Sequence, residues 1–266
     1  MPQQIAQFNQ RNQSAKQVGL AAPGDLAFEN ADLHASSPEY AQRFGGKVGR
    51  WMLQVQEKAL LSMVTADAES ILDIGGGHGQ TARPLFRIGK SVTVLGSSPD
   101  CAAQLEAEIE AGCVSFKSGN LIELPFGPRS FDTVVSFRLM SHCTAWRTLI
   151  AEMCRVADRK IIFDYPSWFS ANFLTPFLFR IKRLIEGNTR RYTIFTMGEL
   201  KREFKKHGFI CSATQKQFFF PMGIHRALRS PLLSRALEGF ASWIGLTALF
   251  GSPVIIRFER ATRDNK

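Results

Sequence analysis

Ile71-Leu72-Asp73-Ile74-Gly75-Gly76-Gly77-His78-Gly79-Gln80-Thr81 joins a short apolar run to a glycine-dense turn and then to helix-forming sequence. A run of that length, closed by glycine, predicts a buried strand. Glycines let the backbone approach a ligand closely, and the free N–H groups at the start of the following helix suit an anionic group. The turn by itself points to a nucleotide-like ligand and leaves its kind open. Gly77-His78-Gly79-Gln80-Thr81-Ala82 also satisfies the G-x-G-x-x-A variant of dinucleotide-binding folds.

Downstream of this stretch, short apolar runs alternate with helical segments: Val92–Leu95, Val114–Phe116, Thr133–Phe137 and Ile161–Phe163. Their starts lie roughly 20 to 28 residues apart, the spacing of successive strand-helix units in a parallel sheet. Right-handed crossovers then give an α/β, doubly wound, Rossmann-like sheet whose ligand crevice lies at the C-terminal ends of the strands. Beyond the fifth run the rhythm breaks. Residues 166–192 read as an insertion with a helix, Glu199–His207 as a helix stopped by Gly208, Phe209–Phe220 as a sixth strand ended by Pro221, and 222–250 as a second helical insertion. Pro253–Arg260 reads as a last strand able to pair antiparallel with the sixth. Upstream, Ser37-Pro38-Glu39 supplies an N-cap, a proline at the first helical position and an early acid, so a helix starts there and stops near Gly45-Gly46. A second helix follows over about Trp51 to Val64. The organisation is therefore a disordered tail over 1–22, a helical segment over 23–65 and one α/β domain over 66–266.

The composition is globular, with 45% apolar residues in 266. The 33 Lys and Arg against 23 Asp and Glu give a net charge of +10, and the whole excess falls after residue 160, with 17 basic and 7 acidic side chains in 161–266. Such a face suits an anionic membrane surface, an acidic ligand or nucleic acid, or is simply solvated. Cys101, Cys113, Cys143, Cys154 and Cys211 include no C-x-x-C pair and lack the His spacing of a zinc site, so they read as reduced core thiols, with no metal expected. Met1 to Gly19 has no apolar core of a signal peptide. The longest uncharged stretch, Gly239 to Ile256, is interrupted by Gly245, Gly251 and Pro253 and reads as helix, turn and strand. A cytoplasmic protein, with peripheral membrane contact open to it, is the expectation.

Several ordered segments resemble the class I S-adenosylmethionine-dependent methyltransferases of the type 11-like group. Asp73-x-Gly75-x-Gly77-x-Gly79 is similar to that family's first motif. Gly119-Asn120-Leu121, then Leu124-Pro125-Phe126 and Ser130-Phe131-Asp132-Thr133-Val134-Val135, resemble its third and fourth strand region. Leu139-x-x-His142, Arg155-Val156 before Ile161–Tyr165, and Glu199-Leu200 with Gly208-Phe209 follow in the family's order, covering about residues 37–220. The resemblance implies a seven-stranded, mostly parallel sheet with an antiparallel last strand and S-adenosylmethionine as cofactor. It places Gly75, Gly77 and Gly79 under the methionine part, Asp73 at its amino end, and Asn120 with Leu121 beside the adenine; Phe137 belongs to the same cofactor set. The family carries an acid at the end of the second strand for the ribose hydroxyls, and this chain has Gly96, followed by Ser97, Ser98 and Asp100, any of which could substitute.

A sulfonium methyl is electrophilic, so alignment and exclusion of water are the main requirements, with a base needed for a hydroxyl acceptor. His142, Asp164 and Tyr165, at strand ends, are the candidates for that base. Arg138, Trp168, Arg190 and Arg191 are candidate substrate contacts. Tyr40, Arg43 and Trp51 lie in the N-terminal helical segment, which either closes over the cofactor or simply packs. The aliphatic and aromatic residues of 166–192 and 222–250 favour a small lipophilic or aromatic acceptor, methylated at oxygen or carbon; nucleic acid is less favoured because no recognised binding module gathers the basic residues. The competing readings are a nicotinamide-dependent oxidoreductase and a catalytically silent ligand- or membrane-binding protein.

Overall fold

The computed structural model describes residues 28–170 and 192–261. The tail read over 1–22, most of the insertion at 166–192, and Arg190 and Arg191 lie outside the described residues. The strands are β1 (Ser70–Ile74), β2 (Ser91–Gly96), β3 (Ser115–Ser118), β4 (Phe131–Ser136), β5 (Ala157–Tyr165), β6 (Phe209–Phe218) and β7 (Ser252–Arg260). They form one sheet in the order β3-β2-β1-β4-β5-β7-β6. The first five run parallel, and β7 is antiparallel to both β5 and β6.

Residues 71 to 74 of β1 are all buried, as expected of a central parallel strand covered on both faces. That is why the run reads as continuous hydrophobicity with one polar interruption, Asp73. β5 is longer than the apolar run Ile161–Phe163, because β7 pairs with it from Lys160 to Tyr165 while its first residue pairs with Phe131. Its polar first half could not be read as strand from hydrophobicity. β3 begins one residue later than Val114 and is mostly exposed at the sheet edge.

The helices, in chain order, are α1 (Pro38–Gln42), α2 (Gly46–Met63), α3 (Ala82–Arg87), α4 (Glu106–Glu110), α5 (Trp146–Val156), α6 (Met197–Lys206), α7 (Met222–Leu228), α8 (Pro231–Trp243) and α9 (Leu246–Phe250). Ser37 caps α1 by accepting from the Tyr40 N–H. α2 starts at Gly46, ahead of the expected Trp51, because Gly49 packs against the preceding turn: a Cβ there would stand 2.2 Å from the Phe44 carbonyl oxygen. One face of the sheet is filled by α5 and α6, with Phe163, Phe204 and Phe258 in a stack whose closest rings are 4.0 Å apart. The other face is covered by α2 and α3 through Leu60, Met63 and Leu85.

The strand starts are tied by Asp132. Its carboxylate accepts from the Glu69 and Ser70 N–H groups and the Ser70 hydroxyl, and pairs with Arg159. The backbone N–H groups on it, foremost that of Ser70, hold its pKa well below the ordinary carboxylate range. A depressed folded-state pKa stabilises the fold above the unfolded value near 4 and loses that contribution as pH falls. Asp132→Ala should therefore cost about 1–3 kcal/mol at neutral pH, seen as a lower urea midpoint, and the gap from wild type should shrink at acid pH.

Candidate active site

The parallel strands run out at one edge, and the glycine turn lies there between β1 and α3. Gly75 and Gly79 both have left-handed φ, 72° and 69°. The Gly75 N–H donates to the Leu95 carbonyl at 2.8 Å, which brings the end of β2 against the turn. A Cβ on Gly77 would stand 2.3 Å from the Cys101 carbonyl oxygen, so only glycine fits. Asp73 is fully buried beneath this turn and accepts from the Thr81 hydroxyl; its Oδ1 has no partner among the described residues. Burial pushes its carboxyl up to about 7. His78 is buried too, its Nδ1 accepting from the Gln80 N–H, and burial lowers its pKa to about 3 so that the ring is neutral.

At the end of β2, Gly96 leaves no room for a side chain: a Cβ there would lie 2.7 Å from that of Cys101. Asp100 does not reach back, because its carboxylate takes the Ser98 hydroxyl at the surface. The carboxylate at this place comes from Asp32, which the sequence reading did not single out. Asp32 is 1% exposed, accepts from the Ser97 N–H at 2.8 Å, and keeps Oδ1 without a partner. The turn that carries it lies along the crevice. The Glu29 N–H donates to Asn120 Oδ1 at 3.2 Å, and the Ser36 hydroxyl oxygen stands 2.6 Å from where a Cβ on Gly77 would be. Leu121 and Phe137 are buried in the two core clusters on either side.

The ends of β4 and β5 form a second centre. Arg138 has a left-handed φ of 60°, a strained backbone for a side chain of this size, and its N–H donates to Asp164 Oδ1 at 2.6 Å. Its guanidinium lies 4.0 Å over the Phe44 ring and donates through Nη2 to Gln56 Oε1, while Nη1 is buried with no partner. Gln56 in turn donates from Nε2 to Asp164 at 3.4 Å. Burial raises the Asp164 carboxyl to about 6, against the lowering pull of the Arg138 N–H and guanidinium. These groups line a cavity of about 320 Å³ with Tyr40, Phe44, Met52, His142, Tyr192, Gln217, Phe218, Phe219, Phe220 and Met222. Gln217 is buried, with neither amide atom partnered among the described residues.

Of the residues expected from sequence, Arg138, His142 and Asp164 meet at this cavity, together with Tyr40 and Arg43. The His142 ring lies 5.6 Å from that of Tyr192. Tyr165 does not line the cavity; it is buried in the core against Phe163 and Phe195, and burial raises its phenol above the ordinary range. Trp168 is 45% exposed and also off the lining. Trp51 packs on Phe218 and His225. Gln56, Gln217 and Asp32 carry no local signature; Gln56 is revealed by its bonds to Arg138 and Asp164, and Gln217 and Asp32 by buried polar atoms without a partner among the described residues.

The fold is that of the class I S-adenosylmethionine-dependent methyltransferases, enzymes whose cofactor is S-adenosylmethionine. Residues 71–160 match the family model described as a methyltransferase domain. The demethylmenaquinone methyltransferase of Tropheryma whipplei (strain Twist) is 26% identical over 189 residues, 63% of this chain and 77% of that protein. The O-methyltransferase cnsE of Penicillium expansum is 30% identical over 110 residues, 38% of this chain and 40% of that protein. The solved magnesium protoporphyrin IX methyltransferase of Synechocystis PCC 6803 with bound SAH superposes with a TM-score of 0.58 at 15% identity, covering 87% of this chain and 96% of that one, a likeness of fold. The dinucleotide reading of Gly77–Ala82 gives way to this family.

The unpaired oxygens of Asp73 and Asp32 ask for donors, and an ammonium and ribose hydroxyls are donors, so the crevice suits this cofactor chemically. A buried acid with a raised pKa favours the folded state while protonated, and its contribution falls as pH rises from about 4 to 7. The melting temperature of the free protein, measured against that of Asp73→Asn, should therefore decline across that interval and level off above it.

Proposed function

We propose that the protein transfers a methyl group from S-adenosylmethionine to an oxygen or carbon of a small lipophilic acceptor that carries a hydroxyl or carbonyl group. The observation that carries this reading is the cavity at the ends of β4 and β5, lined by aromatic and thioether side chains together with the polar groups of Arg138, His142, Asp164 and Gln217. The names of two relatives, a demethylmenaquinone methyltransferase and an O-methyltransferase, agree with it.

When bound, S-adenosylmethionine supplies an electrophilic methyl, so the chain's part is to align the acceptor and keep water away. Gly75, Gly77 and Gly79 give the backbone access, and Asp73 faces the amino end. Asn120, whose Oδ1 accepts from the Glu29 and Ile122 N–H groups, would stand beside the adenine, and Asp32 would take the ribose role that Gly96 leaves vacant. At the acceptor, Arg138 donates from Nη1 to an oxygen of the substrate and the Gln217 amide orients it. Asp164, with a pKa lifted to about 6, is largely a carboxylate at neutral pH and takes the hydroxyl proton. His142, on the same cavity, is the second basic group within the site. Phe44, Met52, Phe218 and Phe220 exclude water.

Calorimetry with S-adenosylhomocysteine tests the cofactor half. Asp32→Ala should weaken binding about tenfold or more, the loss of a charge-assisted hydrogen bond. Tighter binding would show instead that the 29–36 turn competes for the crevice.

A screen of hydroxylated aromatic and quinone-like acceptors tests the other half. With an acceptor in hand, kcat should rise with pH through a midpoint near 6, the limb belonging to deprotonation of Asp164, and level off about one unit or more above it. Asp164→Asn should lower kcat about 10²-fold and abolish that limb while leaving S-adenosylhomocysteine affinity intact. An unchanged profile would remove Asp164 from the base role.

A further inference from the structure

Helix α8 is packed with its sides reversed. Of the residues it turns inward, Ser234 and Ala241 are buried, Leu237 is half-buried, and Glu238 accepts from the Phe219 and Phe220 N–H groups and contacts His225 Nε2 at 2.9 Å. Leu232, Ala236, Phe240 and Trp243 follow one another at helical spacing on the opposite face, and all are exposed. Leu232 is 76% and Trp243 81% exposed. Leu233 and Ile244 border this face, and Leu249 and Phe250 on α9 are exposed as well. A soluble helix does the reverse, burying its large apolar side chains.

The exposed charges of residues 222–250 are of one sign. Arg226, Arg229 and Arg235 are exposed on α7, at its end and on α8, and the single carboxylate of residues 222–250, Glu238, is spent on internal partners. A broad apolar face with an exposed tryptophan, flanked by arginines and free of exposed acids, is the composition of a helix that lies in the interface of an anionic bilayer. No helix of the described residues is long and apolar enough to cross a membrane.

We propose that α8 and α9 dock this protein onto an anionic lipid surface, with Trp243, Phe240 and Leu232 entering the acyl boundary and the arginines meeting the headgroups. The surface adjoins the active-site cavity, since Phe219, Phe220, Met222 and Arg226 line that cavity at the base of the same helical unit. An apolar acceptor dissolved in the bilayer would thus enter without crossing water. The docking itself goes beyond the methyl-transfer reading and does not depend on it.

Flotation of the full chain with vesicles tests the proposal without any turnover. The protein should float with vesicles of phosphatidylcholine and phosphatidylglycerol in equal parts, and poorly with phosphatidylcholine alone. Phe240→Ser/Trp243→Ser should weaken anionic-vesicle binding at least about tenfold. Arg229→Gln/Arg235→Gln should erase the preference for anionic lipid, as should high salt. S-adenosylhomocysteine affinity by calorimetry reports folding and should be unchanged in both variants; the milder Leu232→Gln replaces any variant that loses it and should weaken flotation in the same direction. Absence of flotation by the wild type, or flotation indifferent to the apolar substitutions, would overturn the proposal. So would sedimentation showing a dimer that the apolar substitutions dissolve while lipid binding persists, which would assign the face to a second copy.

Discussion

Backbone groups at the ends of the parallel strands must find partners after the sheet ladder stops, and in this protein side chains supply them. Asp164 at the end of β5 takes the Arg138 N–H just beyond β4, Asp32 takes the Ser97 N–H just beyond β2, and the Ser136 hydroxyl donates to the Ile74 carbonyl at the end of β1. Each of these links uses a buried side chain. The edge where a ligand can enter is therefore also the edge where carboxylates are taken out of water, and this raises the Asp164 carboxyl toward the range in which a base works.

Two subsites follow from that constraint and share the β4 end. The glycine turn, Asp73, Asp32 and Asn120 gather beside the end of β1, where Asp73 Oδ1 and Asp32 Oδ1 have no partner among the described residues. The Arg138 turn, held in a left-handed conformation by Asp164, Gln56 and the Phe44 ring, makes a polar wall for a largely apolar cavity. The strain at Arg138 is maintained by these three contacts, with Nη1 buried and without a partner among the described residues. α1, α2 and the segment after β6 supply much of the wall of that cavity.

Much of this was legible in the sequence where the signal is local. The strand, glycine and helix order around Asp73, the cap at Ser37 and the alternation through β5 were all readable, and the antiparallel pairing open to the last two strands is the one they form. The polar half of β5 was not readable, because its strand character comes from pairing with β4 and β7 and not from its own hydrophobicity. Arg138, His142 and Asp164 were found because strand ends announce themselves. Asp32, Gln56 and Gln217 were not, since nothing around them in the chain differs from ordinary loop, helix and strand sequence.

Sequence alone thus determined the sheet, the glycine turn and the family, because periodicity, glycine freedom and motif order are properties of neighbours along the chain. Tertiary structure decided which carboxylate stands at the end of β2, which amides line the cavity, and that α8 shows its large apolar residues to the outside. Those outcomes depend on which surfaces meet after the chain has crossed from one layer to another. Asp32 reaches Ser97 across 65 positions and Gln56 reaches Asp164 across 108, distances over which composition and spacing carry no record of contact.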